Sequence, residues 1–365
     1  MRARPIALLA AALRAWPLLL LAVCAPPGRE VPGPLPAEPR WRALPGAPTI
    51  RGKQDDLYFV SARLGWSVNG QGSIFRTDDA GASWTRLVHR PGTYFRAVVF
   101  LDSLRGFAGN IGPGYYPGVT DSVALYRTRD GGRSWAPVTG IRGPYPRGIC
   151  NFHLAPDGRT VWASGRVGGP SFLLVSRDGG ESWESRDLTG RLGMLIDVHF
   201  VSPERGFLVG GSTADPRTSH TVVLATADGG ATWTEAFRSR EALELGWKFA
   251  FPTPRTGYVS VLAYDSTSTF LKTEDGGRSW REHPLVPGPY QAKGVGFVDE
   301  RRGWIAGERP GFPAYRTDDG GRTWVPDTTL APLVNRIRFV RDRRGRLEAG
   351  YAIGATVHRL ELPAR

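Results

Sequence analysis

One short box recurs six times in this 365-residue chain and narrows its fold more than any other feature. It reads Thr77-Asp78-Asp79-Ala80-Gly81-Ala82-Ser83-Trp84 and returns at residues 128–135, 176–183, 226–233, 273–280 and 317–324. Its third position is always aspartate (Asp79, Asp130, Asp178, Asp228, Asp275, Asp319), its fifth glycine and its last tryptophan (Trp84, Trp135, Trp183, Trp233, Trp280, Trp324). The tryptophans stand 44 to 51 residues apart, the length of a four-stranded propeller blade.

About midway between boxes lies a second motif, a Phe followed six residues later by Gly and an aromatic. It reads Phe59 with Gly65-Trp66, Phe100 with Gly106-Phe107, Phe200 with Gly206-Phe207, Phe251 with Gly257-Tyr258 and Phe297 with Gly303-Trp304. A looser copy runs from Phe152 to Trp162, and a last one from Phe339 to Gly345. These seven copies face six boxes. The seventh unit ends with the chain, one strand short, while Trp41-Arg42-Ala43-Leu44-Pro45-Gly46 resembles the segment just after each box. An N-terminal strand completing the last blade would close the ring and leave no open edge. The expected fold is therefore all-β, a seven-bladed β-propeller of four-stranded antiparallel blades over residues 41–365; six or eight blades are the alternatives.

Within the box, the aspartate is expected to accept backbone N–H groups across a hairpin turn. The glycine supplies a positive φ, and the tryptophan covers apolar surface worth roughly 1.5–3 kcal/mol per ring. The box resembles the Asp-box, or bacterial neuraminidase repeat, of sialidases, other glycosidases, sortilin-type receptors and non-enzymatic propellers. That resemblance implies a structural role away from the functional face, since six near-identical aspartates cannot all be catalytic.

Arg2, Arg4 and Arg14 precede an apolar run from Ala15 to Val23, too short to span a membrane and suited to a signal-peptide core. Residues 1–24 are thus expected to direct export, which places the mature protein outside the cytoplasm. Leu21-Ala22-Val23-Cys24 resembles a bacterial lipoprotein box, although Val23 departs from it, so lipidation of Cys24 and ordinary cleavage near Ala25 both stand. Residues 25–40, rich in Pro, read as a linker. The second cysteine, Cys150, sits in an apolar run and reads as a small core residue. A net charge of +13 comes mostly from scattered arginines with no block of five or six, which argues for a solvated basic surface over nucleic-acid binding.

No catalytic constellation stands out. The Arg-Ile-Pro element of sialidases is missing, and the nearest stretch is Thr49-Ile50-Arg51. Asp197 and Glu244 lie near the start of inner strands and read as hydrogen-bonded loop carboxylates. The six histidines show no metal-ligand spacing, and His153 and His199 are expected to point away from the core. No cofactor or metal is expected.

Arg51, Arg96, Arg147, Lys248, Lys293 and Arg336 recur just before the strand phenylalanines, where a ring of cations would focus a positive field at one channel mouth. Trp247 and the insert Asn110-Ile111-Gly112-Pro113-Gly114-Tyr115-Tyr116 are expected to add aromatic contact surface for a partner. The two-part repeat looks most like the photosystem II stability and assembly factor family, which implies a non-catalytic, exported propeller binding an envelope or membrane protein; a monomer is expected. A secreted sialidase-like or other glycoside hydrolase is the alternative.

Overall fold

The computed structural model describes residues 39–50, 54–264, 268–307 and 312–362. The residues expected to form a signal segment (1–24, with Cys24), most of the expected linker and Arg51 lie outside them. Among the described residues there is no helix. Strands form seven sheets of four antiparallel strands each. Six are meanders in chain order, at residues 54–89, 95–137, 151–187, 194–238, 244–286 and 292–327; these are blades 1 to 6. Blade 7 takes three strands from residues 334–361 and its outermost from the other end of the chain. There Arg40–Ala43 pairs antiparallel with Val357–Glu361, Trp41 opposite Leu360. The expected ring closure is present and begins at Arg40, one residue earlier than anticipated.

The two repeat motifs meet at the blade interfaces. The phenylalanine ending one blade's inner strand stacks on the aromatic of the preceding blade: Phe100 on Trp66 at 3.5 Å, Phe297 on Tyr258 at 3.6 Å, and Phe59 on Tyr351 at 3.7 Å across the closure. Box tryptophans then meet these phenylalanines edge-on, as Trp84 does Phe59 (6.0 Å, 88°) and Trp135 does Phe100 (6.0 Å, 90°). Both arrangements suit the ring quadrupoles. The glycine of the motif exists because the phenylalanine lies over it: a Cβ on Gly65 would stand 2.5 Å from the Phe59 ring. In blade 7 Trp41 fills the place of a box tryptophan, 5.3 Å from Trp304 and 6.5 Å from Phe339.

Two registers differ from expectation. In blade 3 Leu154 pairs with Val161, so Leu154 takes the place that Phe200 holds opposite Gly206, and Phe152 sits two residues earlier. Trp183 then packs directly against Phe107 of blade 2, at 5.2 Å. In blade 7 the partner of Phe339 is Gly350 rather than Gly345.

The box is a self-contained knot of hydrogen bonds. Ser83 donates to Asp79 from its N–H (2.9 Å) and hydroxyl (2.6 Å), Thr77 Oγ1 donates to it at 2.8 Å, and the Gly81 N–H donates back to Thr77 Oγ1 at 2.8 Å. Gly81 has φ +87°, which a side chain would resist. The Ser83 bonds hold the Asp79 carboxyl at about 2. Asp130, Asp178, Asp228, Asp275 and Asp319 repeat the pattern. Trp183, Trp233 and Trp280 are buried, while Trp84, Trp135 and Trp324 are half-buried.

Because strands alternate in direction, the box turn and the turn after each inner strand lie at one end of the ring, the box end. Connections between second and third strands, and between blades, lie at the other, the loop end.

Candidate functional site in the axial channel

Inner strands of neighbouring blades line the central channel side by side. Six of them carry a bulge at the same place, between residues 54/56, 95/97, 195/197, 246/248, 292/294 and 334/336. A bulge sets two residues against one and re-aims side chains. Here it brings two consecutive residues per strand to the channel, which produces two charged layers instead of one.

The deeper layer holds Asp56, Asn151, Asp197, Lys248 and Arg336, all buried. Arg336 donates from Nε to Asp56 at 3.2 Å and from Nη2 to the Asn151 amide oxygen; Asn151 in turn donates to Asp197. Arg338 grips Asp56 through Nε and Nη2 at 3.1–3.3 Å. Backbone N–H groups complete the carboxylates: Val98 and Leu57 donate to Asp56 (3.2 and 3.0 Å), Val198 and Phe249 to Asp197 (3.0 and 2.8 Å). Burial alone would raise the Asp56 carboxyl, but Arg338 and Arg336 outweigh it and hold it below the ordinary range.

The Lys248 ammonium has no hydrogen bond or ion pair to another described residue. Burial and then the neighbouring Arg336 push its ammonium down to about 7. The folded pKa lies below the unfolded value, so between about pH 7 and 10 the unfolded chain holds a proton that the folded chain lacks. Stability therefore rises with pH through that window. Lys248→Met is expected to stabilise the protein by about 2 kcal/mol near pH 7, with the gain fading by pH 10. Thermal denaturation of both proteins across that range checks this; a destabilised variant at pH 7 would refute it.

Toward the loop end, Arg96 pairs with Asp55 and lies over Trp247, its Cζ 5.3 Å from the ring centroid. Lys293 Nζ approaches the same ring at 4.7 Å. Tyr94 donates to Asp55 at 3.2 Å and stacks on Tyr116 at 4.6 Å, with Tyr115 edge-on to Tyr116 at 4.7 Å. The insert that carries these tyrosines is pinned from two sides. Asn110 accepts the Tyr94 and Gly112 N–H groups, and Arg166 Nη1 donates to the Ile111 and Pro113 carbonyls at 2.9 and 2.7 Å. Buried Cys150 lies in the same cluster, accepting the Val167 N–H at 3.3 Å.

Four of the six cations expected to ring one channel mouth lie buried along the channel. Arg96, Lys248, Lys293 and Arg336 are 1–7% exposed and interleaved with Asp55, Asp56 and Asp197. Trp247, 3% exposed, is a wall of the channel and not a contact surface. Arg147 precedes its inner strand and is exposed, because the shifted register of blade 3 puts Cys150 and Asn151 where the other blades place their paired channel residues. Tyr115 stands 37% exposed at the loop-end rim.

At the box end the channel opens into a cavity of about 290 Å³, lined by Tyr58, His153, His199 and Arg338 above Asn151, Asp197 and Arg336. The two histidines, expected to point away from the core, face this cavity together: their rings lie 4.6 Å apart, and His199 stacks on Phe251 at 4.7 Å. Burial pushes His199 down to about 4, and burial followed by His199 itself lowers His153. Burial thus favours the neutral ring in both. Sequence reading missed this pair, and also Asp55, Asp56, Tyr58, Arg166 and Arg338. A usable signal was present, since each histidine stands one residue before its strand's last apolar position in consecutive blades.

Neither expected lone carboxylate is poised as a catalytic acid in this cavity. Asp197 accepts three hydrogen bonds, from Asn151, Val198 and Phe249. Glu244 is pushed up to about 7 by burial and then by Glu282, but it lies outside the cavity lining.

No family model matches the chain. It is 29% identical over 251 residues to a xyloglucanase of Paenibacillus sp., covering 60% of this chain and 22% of that protein. It is 26% identical over 233 residues to the photosystem II assembly protein Ycf48 of Thermosynechococcus vestitus, covering 62% and 56%. The chain thus spans less than two thirds of either relative's length. Among solved structures, one described as YCF48 bound to D1 peptide superposes with a TM-score of 0.62 at 16% identity, over 90% of this chain and 97% of that one. At that identity the likeness is one of fold: a seven-bladed propeller resembling both an assembly factor and a glycoside hydrolase.

Proposed function

We propose that this protein is an exported, non-catalytic propeller, a monomer without cofactor, that docks a segment of an envelope or membrane protein at its loop end and serves as an assembly scaffold. The observation that carries this reading is the insert of blade 2, fixed by Asn110 and Arg166, which holds Tyr115 exposed at the loop end, where Arg147 is also exposed. Tyrosine and arginine are the residue types enriched at interface hot spots. The resemblance to Ycf48 supports it, as does the peptide named for its solved neighbour. On this reading the six boxes are Asp-boxes with a structural role, residues 1–24 are a signal peptide, and Cys24 is a candidate lipid anchor.

The likeness to a xyloglucanase raises the second reading, a glycoside hydrolase. Such an enzyme needs one carboxyl held protonated beside an ionised partner. Asp56 is instead tied to two arginines, and the raised carboxyl Glu244, beside Glu282, lies outside the cavity, which favours the scaffold. Purified protein is expected to leave a panel of aryl glycosides, sialosides and xyloglucan unhydrolysed.

The docking test uses surface residues, because the buried Arg96–Asp55 pair makes Arg96 a test of folding. Cross-linking pull-down from the envelope fraction is expected to lose its partner by about tenfold or more with Tyr115→Asp combined with Arg147→Glu. Undiminished capture by that folded variant would refute docking at this rim.

A further inference from the structure

The box-end cavity has a hydrogen-bonding balance that the scaffold reading does not use. Its carboxylate and amide oxygens already accept hydrogen bonds. Asp197 takes the Asn151 amide and two backbone N–H groups, the Asn151 oxygen takes Arg336, and Asp56 beneath takes Arg336, Arg338 and two backbone N–H groups. The remaining groups are weighted toward donors. Arg338 uses only Nε and Nη2, so Nη1 is left over. His153 accepts the Phe200 N–H at Nε2 (3.3 Å), which in a neutral ring places its proton on Nδ1 and makes that nitrogen a donor. The Tyr58 hydroxyl and the His199 ring have no hydrogen-bond partner among the described residues, although Tyr58 packs against the Arg338 guanidinium at 5.2 Å.

The surrounding field has the matching sign. Along the channel the described cations Arg96, Lys293, Arg336 and Arg338 outnumber the carboxylates Asp55, Asp56 and Asp197, and Lys248 adds to them in part. A narrow low-dielectric tube concentrates that excess. Spare donors in a positive, half-enclosed cavity call for an acceptor-rich, negatively charged occupant, and about 290 Å³ limits its size.

We infer that the box-end cavity binds a small free oxyanion, a carboxylate or a phosphate, through Arg338, Tyr58, His153 and His199. This site lies at the opposite end of the channel from the proposed docking rim and does not depend on it.

Calorimetric titration of the purified full chain with succinate, with inorganic phosphate and with glucose, a neutral solute of similar size, tests the inference. At least one anion is expected to bind, and glucose is not; which anion binds assigns the ligand to carboxylates or phosphates. Tyr58→Phe and His199→Phe, which keep ring volume, are each expected to weaken binding about 3- to 10-fold, and Arg338→Gln by more than about tenfold. If Arg338→Gln does not fold, the two ring variants carry the test. Absence of binding by both anions, glucose binding equal to theirs, or anion affinity unchanged in both ring variants would each overturn the proposal.

Discussion

Arg336→Met is expected to destabilise the protein by about 3–5 kcal/mol, the cost of breaking a buried ion pair from one side. The size reflects the groups that the guanidinium joins. It reaches Asp56 of blade 1 and Asn151 of blade 3 from blade 7, and its Nη1 stands 4.0 Å from Asp197 of blade 4. Without it Asp56 keeps Arg338, but Asn151 loses the donor to its oxygen and Asp197 loses its nearest cation. Lys248 would regain part of its charge, because Arg336 is the first neighbour suppressing it. Urea denaturation of Arg336→Met, Asp56→Asn and the double variant measures this. The double variant is expected to be less destabilised than the sum of the singles by at least about 1 kcal/mol, the mark of direct coupling. A loss under about 1 kcal/mol for Arg336→Met would show the channel network to be energetically idle.

That network marks where the sequence stops being legible. The ring was readable because its signals are local and repeated: a box is closed by residues within four of each other, and each Phe…Gly pair faces its own partner across one turn. Even the seven-to-six mismatch had a local answer in Trp41. The charged layers obey no such rule. Asp56 and Arg336 are 280 residues apart, and Asn151 and Arg336 are 185 apart, so their pairing comes only from ring closure. The cations were visible as residues, but the carboxylates that neutralise them were not assigned to the channel. A bulge is silent in sequence, yet it turns two neighbours such as Trp247 and Lys248 toward the same lumen. In blade 3 the missing Phe at position 154 was misread through Phe152, which moved Arg147 onto the wrong equivalence. The histidine pair was lost for the same reason, since the face of a strand residue is known only once its register is fixed.

The closure itself yields the other large effect. Trp41→Ala is expected to cost about 3–5 kcal/mol, as for other buried aromatic truncations. Trp41 is 3% exposed, sits edge-on to Trp304, and its backbone N–H donates to Thr329 Oγ1 at 3.0 Å. Its strand also shields the edge of Val357–Glu361, which otherwise ends the sheet. A half-buried box tryptophan such as Trp135 is bracketed within a single chain segment, so its loss loosens one turn and leaves the ring closed. Trp135→Ala should therefore cost less and expose no blade selectively. Native-state hydrogen exchange separates the two cases. In Trp41→Ala the amides of Val357–Glu361 and of Arg40–Ala43 are expected to lose protection first, before the inner strands, because the last blade opens along the pairing that the N-terminal strand supplies. Uniform loss of protection across all blades would mean that this strand adds stability without acting as the clasp of the ring.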